Sequence, residues 1–409
     1  MRGKARVVAK AVRAVVVAVV KVLRPILTGL LLGVCSTVYS TVLPEDRSDV
    51  LTHSYQGGGM DITGPSILVR KGDDKSFSAY AHYYVDNISS ASVDVLALGA
   101  SRYQEKRVEK SVGFDYLHGK SIMSFGYTNS DENDYVSDTY NFGISMDMFG
   151  DLTTVSLGYS QGKDDVYKTL YVDGVKTRDP DFHENVVKRQ YSIGLTQVVS
   201  KNLLIGLNFD TITDEGYLHN PYRQYRYVFG DAARYGVEVY PGTRTSKTGS
   251  IKFKYYLPYR AAIQYQERLF NDDWGIVAND SEVGYTHPIG ENLIIEVRYR
   301  LYSQTKADFY SDLHAEASTN PLDFRARDKE MSNYNSKTMG LVVSYEFAKG
   351  GGWWFIDKAS LNLAYDYMQF HYNDFRDARV SKADASLVGK EPLYQFSANV
   401  LQLFLSVWY

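Results

Sequence analysis

The chain has 409 residues, 44% hydrophobic and 14% aromatic, with 35 Tyr; its 45 Lys and Arg against 48 Asp and Glu give a formal net charge of −3. Mean hydropathy is −0.30, and beyond residue 40 no apolar run approaches the roughly 18 residues that a spanning helix needs, which excludes a helical membrane protein. A β-barrel escapes that test, because half of its strand residues face a polar lumen.

Residues 1–40 carry seven basic residues (Arg2, Lys4, Arg6, Lys10, Arg13, Lys21, Arg24) and no acid, then an apolar stretch from Ile26 to Val38. This order predicts a secretory signal peptide over 1–40, cleaved after Ser40. The lone Cys35 lies inside it, so disulfides have no part in the mature chain. Without these residues Lys plus Arg falls from 45 to 38 against 48 acids, a net charge of −10. Nucleic acid is therefore not an expected partner, since phosphate binding needs a basic face.

Residues 41–75 precede the first clear strand and read as a periplasmic tail or a lumen plug. Gly57-Gly58-Gly59 would allow a sharp backbone path within it. Ser66–Lys71 is a second option there, as a short strand.

From residue 76 the sequence alternates with a two-residue period, the pattern of a strand with one apolar face. Leu293, Ile295, Val297, Tyr299 and Leu301 share one face; Ile294, Glu296, Arg298, Arg300 and Tyr302 share the other. About 14 such strands lie near 76–88, 107–117, 121–130, 135–148, 152–163, 186–199, 203–213, 243–256, 260–271, 278–288, 293–304, 332–347, 359–370 and 393–409. Links after even strands are short, as at His118-Gly119-Lys120, Phe149-Gly150-Asp151 and Ser200-Lys201-Asn202, with a somewhat longer one at 349–352. Odd links are mostly long: 164–185, 214–242, 305–331 and 371–392. The reading is an all-β fold, a closed antiparallel transmembrane β-barrel over 76–409 with about 14 strands, short periplasmic turns and long external loops. An even count closes such a barrel without an unpaired edge. Aromatic residues at strand ends, including Trp353-Trp354, Phe347 and Tyr255-Tyr256, suit a girdle at the membrane boundary.

The last strand alternates Leu401, Leu403, Leu405, Val407 and Tyr409. A greasy strand ending on an aromatic suits both barrel closure and a membrane-insertion signal, read by barrel-assembly machinery. Outer-membrane lipid and lipopolysaccharide are the other expected partners.

Alternation assigns candidate lumen-lining positions: Lys252, Lys254, Gln264, Gln266, Arg268, Glu296, Arg298, Arg300, Asp210 and Asp366. They either set solute selectivity or pair with one another inside a wet barrel. The acidic clusters Asp131-Glu132-Asn133-Asp134, Asp164-Asp165 and Asp272-Asp273 read as solvated surface charge. The eight His are scattered, with no catalytic set, no zinc spacing and no phosphate loop. No catalytic residue, cofactor or metal is expected, and the chain is not read as an enzyme.

Several longer stretches carry a resemblance: Leu43-Pro44-Glu45-Asp46-Arg47, Gly64-Pro65-Ser66-Ile67-Leu68-Val69-Arg70-Lys71, Tyr83-Tyr84-Val85-Asp86, Gly126-Tyr127-Thr128-Asn129-Ser130, Asp214-Glu215-Gly216-Tyr217-Leu218 and Ala307-Asp308-Phe309-Tyr310-Ser311-Asp312. Over about 43–409 the chain resembles a bacterial family known as domain of unknown function 3570. The resemblance implies a cell-envelope, outer-membrane location and transfers no site residues. The leading functional expectation is a channel or transporter for a small solute through a polar, mixed-charge lumen. A non-conducting envelope scaffold that binds a protein partner is the alternative, and an outer-membrane hydrolase the third.

Overall fold

The computed structural model describes residues 42–409 except 74, 91–92, 94–102, 174, 231, 321 and 349–355. The expected signal peptide at 1–40, the link at 349–352 and Trp353-Trp354 lie outside the described residues.

The wall is built from β1 (Arg47–Gly57), β2 (Met60–Gly72), β3 (Phe77–Ser90), β4 (Tyr103–His118), β5 (Ser121–Asp131), β6 (Tyr135–Met148), β7 (Thr153–Val172), β8 (Val175–Val198) and β9 (Leu203–Gly216). It continues, after a separate hairpin of β10 (Gln224–Phe229) and β11 (Ala232–Val237), with β12 (Thr243–Tyr256), β13 (Ala262–Asp272), β14 (Val277–Ile289), β15 (Leu293–Gln304), β16 (Tyr334–Phe347), β17 (Lys358–Arg376) and β18 (Leu393–Trp408). Sixteen strands close the barrel, each antiparallel to its neighbours, and β1 pairs with β18 from Arg47↔Trp408 to Gly57↔Ala398.

All 14 expected strands are present, and the two extra ones correct the reading of 41–75. That segment is neither tail nor plug: β1 and β2 are a hairpin of the wall itself. Its turn is Gly58-Gly59 between the paired Gly57 and Met60, with φ of 58° and 82°. Positive φ at both central residues is the tight hairpin turn whose twist suits its strands. The alternation was faint here for two reasons. The membrane-facing column of β1 is Ser48, Val50, Thr52, Ser54 and Gln56, with one apolar member. In β2, Gly64-Pro65 interrupts the pattern, and Pro offers no N–H to the ladder. A Cβ on Gly64 would lie 1.7 Å from the Val85 carbonyl oxygen, so the approach of β3 requires glycine there.

The loop expected at 164–185 is also replaced. β7 and β8 run on as a paired hairpin to Val172↔Val175. Past Lys163 both faces are polar or mixed, so the apolar period fades where the strand leaves the membrane although the hydrogen-bond ladder persists. β17 extends likewise to Arg376.

Paired residues on adjacent strands share a face, so one face can be followed around the barrel. Ile67, Val50, Leu405, Leu361 and Tyr345 form one continuous outward row; Leu401, Tyr365, Leu341 and Val297 form another. These side chains are exposed. A soluble protein does not leave so large an apolar surface in water; lipid covers it here. Outward Tyr pairs such as Tyr127–Tyr140 and Tyr159–Tyr191, with centroids 5.1 and 5.2 Å apart, and the exposed Tyr255, Tyr256 and Tyr259 add aromatic surface of the kind found at membrane boundaries. The chain is thus a membrane-spanning β-barrel. No helix among the described residues is long and apolar enough to cross a membrane.

Candidate functional site

The lumen face is the complement of the lipid face. All ten expected lumen positions share it. Lys252 lies opposite Gln266, Lys254 opposite Gln264, and Arg268 opposite Ser250 on one side and Asp280 on the other. Arg298 binds Asp366 through both carboxylate oxygens at 2.8 and 2.6 Å. Arg300 binds Asp280, at 2.7 Å to each oxygen, a partner that spacing did not reveal. Asp210 accepts from Thr248 Oγ1 at 2.9 Å and Gln190 Nε2 at 3.2 Å; Glu296 accepts from Thr286 Oγ1 at 3.3 Å. Among the described residues no carboxylate lies within ion-pair distance of Lys252, Lys254 or Arg268. On β5 to β9 the same face is small and polar, with Gly126, Asn141, Gly143, Ser160, Ser192 and Asn208. Such side chains cannot reach across a sixteen-stranded barrel, so this part of the wall leaves room for water.

A second lumen cluster spans β1 to β4, and it is completed by β1 and β2, the two strands that alternation did not reveal. His53 of β1 contacts Asp86 of β3, Nε2 to Oδ1, at 2.8 Å and stacks on Tyr84 with centroids 5.0 Å apart. Arg107 of β4 holds the other Asp86 oxygen at 2.6 Å. Ser66 Oγ lies 2.8 Å from His82 Nε2. A serine beside a histidine is the start of a nucleophilic pair, yet among the described residues no carboxylate bonds the second His82 nitrogen. The exposed His183 contacts Asp165 at 2.8 Å on the projecting β7–β8 hairpin. Among the described residues no group of three or more His, Cys, Asp and Glu is gathered as a metal site.

Over the external mouth, loops 217–242, 305–333 and 377–392 pack into a cap with its own apolar cluster of Tyr240, Trp274, Tyr310, Phe375 and Tyr394. Its polar centre is Arg226 on β10, fully buried, bonded to Glu391 at 2.5 Å and Asp312 at 2.8 Å. Arg327 adds a 3.0 Å contact to Asp312. Burial alone would raise the Glu391 carboxyl, but hydrogen bonds from Arg226 and Ser381 hold it below its usual range. Glu238 accepts from the Arg327 backbone N–H at 2.6 Å and from Tyr240 Oη at 2.8 Å. Burial, reinforced by Asp328 nearby, pushes its carboxyl up to about 7. The clusters expected as solvated surface charge are partly structural. Asp164 is buried and accepts from Tyr135 and Ser137, while Asp272 holds Arg244 at 2.6 and 2.9 Å.

The strand expected to carry a membrane-insertion signal is the closing strand β18. Leu401, Leu403 and Leu405 face lipid with Val407 in the same column, and Tyr409 Oη donates to the Arg70 carbonyl at 3.1 Å.

No curated protein matches the sequence. Among solved structures, a bacterial polysaccharide outer membrane secretin superposes with a TM-score of 0.48 at 5% identity, covering 90% of this chain and 100% of that one. The siderophore receptor PirA from Acinetobacter baumannii gives 0.41 at 9% identity over 80% of this chain and 53% of its own, so this chain spans about half of that receptor. A loop-deletion mutant of OmpT, an outer membrane protein of Vibrio cholerae, gives 0.39 at 10% identity over 89% and 98%. The family model described as "Protein of unknown function (DUF3570)" matches residues 94–391, well over half of the sequence, and the chain belongs to that family.

Proposed function

We propose that the barrel is a channel for small solutes, which pass through a polar, mixed-charge lumen beneath the external cap. The observation that carries this reading is the position of residues 47–72. The segment that could have served as a plug is part of the wall, and across the barrel the lumen face of β12 and β13 carries Lys252, Lys254 and Arg268 with no carboxylate at ion-pair distance among the described residues. Charged rings and ladders of this kind tune which ions pass. Its test is conductance of the purified chain in planar bilayers. Steady conductance is expected, and Lys252→Glu with Lys254→Glu is expected to shift the reversal potential toward cation preference. Silence at every voltage, or an unshifted reversal potential, sinks the reading.

A non-conducting scaffold for an envelope protein is the second reading. It draws on the tip of the β7–β8 hairpin, where Tyr171, Val172 and Val175 are exposed. Silence in the bilayer together with capture of a partner dependent on Tyr171 and Val175 would favour it.

A further inference from the structure

Inside the external mouth, between the wall and the 3-10 turn Lys329–Met331, lies a cavity of about 420 Å³. One side is a row of aromatic rings on the lumen face of consecutive strands: Tyr302 on β15, Tyr334 on β16, Phe370 on β17 and Phe396 on β18. Centroids step by 5.5 Å from Tyr302 to Tyr334, 6.4 Å to Phe370 and 4.6 Å to Phe396, the last two rings stacked within 10°. All four are only half-buried. They sit apart from the outward belt, on the face that elsewhere carries charge and hydroxyls.

The charged groups around the cavity are already paired. Arg244 is held by Asp272, and Lys329 lies 3.7 Å from Glu330. Gln304 accepts from Tyr302 Oη at 2.7 Å and donates to the Glu330 and Ser332 carbonyls at 2.8 Å, which ties the turn to the wall. We propose that this cavity binds a neutral saccharide of one or two rings. The C–H face of a sugar ring packs on an aromatic face, and ring hydroxyls can exchange hydrogen bonds with the Lys329 and Glu330 side chains at the rim. A charged ligand would have to compete with an existing ion pair for its partner. A wholly apolar ligand would desolvate Lys329 and Glu330 without return. The volume lies in the range of small-molecule sites. The inference rests on the channel reading only for the route by which the sugar arrives; binding does not require conduction.

The test is calorimetric titration of the full chain in detergent with maltose and trehalose, against glucose 6-phosphate as the anion and 2,3-dihydroxybenzoate as the planar aromatic. At least one neutral disaccharide is expected to bind best, and Phe396→Leu to weaken it about tenfold, since leucine keeps apolar volume and removes the ring face. Tyr334→Leu is a second variant, in case the first fails to fold. Lys252→Glu should leave affinity unchanged. Absence of disaccharide binding, tighter binding of the phosphate or the aromatic acid, or indifference to both leucine variants overturns the proposal. Saccharide binding without conductance removes the channel and leaves this site standing; conductance without saccharide binding does the reverse.

Discussion

Arg226 and Glu391 are 165 residues apart in sequence, yet their side chains meet at 2.5 Å with both fully buried. This contact joins the β10–β11 hairpin to the loop that enters β18. Because Asp312 also reaches Arg226, one guanidinium ties all three loops of the cap together. Removing one member of such a buried pair strands the other, at a typical cost of about 3–5 kcal/mol, whereas replacing both by apolar residues is often neutral. Glu391→Ala is therefore expected to open the cap to trypsin at Arg325 and Arg327 while the barrel keeps its heat-resistant migration on gels. Unchanged digestion would show that the cap does not depend on the pair.

The cap should also respond to pH. Glu238 has its folded-state carboxyl raised from 4.5 to about 7 by burial. A raised acid contributes stability fully present below about 4.5 and lost as pH rises through about 7. Over that window the loss is about 3 kcal/mol. Amide exchange in loops 217–242 and 305–333 is expected to quicken between pH 5 and pH 8 beyond its chemical dependence, and Glu238→Gln to flatten the change. Glu391 acts with the opposite sign: its depressed carboxyl supplies stability above about 4.5 that is lost on further acidification. Equal protection at pH 5 and pH 8 in the unmodified chain would exclude a strained Glu238.

Deleting residues 42–72 is expected to abolish the folded, heat-modifiable band. The deletion removes two wall strands and leaves β3 and β18 each with one unpaired edge, and an open edge in lipid is not tolerated. A truncated chain that folds and conducts more strongly would instead mean that this segment is a removable obstruction.

Face assignment gives a paired test. Leu341 sits mid-strand in an outward row with Val297 and Tyr365, whereas Asn208 projects from the small polar wall into the lumen. Leu341→Arg should cost about 2–4 kcal/mol of folding free energy in bilayers, and Asn208→Arg much less. Similar urea midpoints for the two variants would reverse the inside–outside reading.

The period-two apolar pattern by itself determined the fold class, fourteen strands and the inward placement of Lys252, Arg298 and Arg300, because alternation reports which side of a strand meets lipid. It could not determine structure where lipid contact ends or the pattern is sparse. β1 has one apolar outward residue, β2 is broken at Gly64-Pro65, and the outer parts of β7 and β8 face water on both sides, so their strand character comes only from neighbours offering backbone partners. The candidate sites depend still more on tertiary structure. Arg226, Asp312 and Glu391 have nothing in their local sequence to mark them as partners, and the row Tyr302, Tyr334, Phe370 and Phe396 exists only because strand register sets four separate stretches side by side. Register is fixed by closure of the whole barrel, a constraint that no segment carries alone.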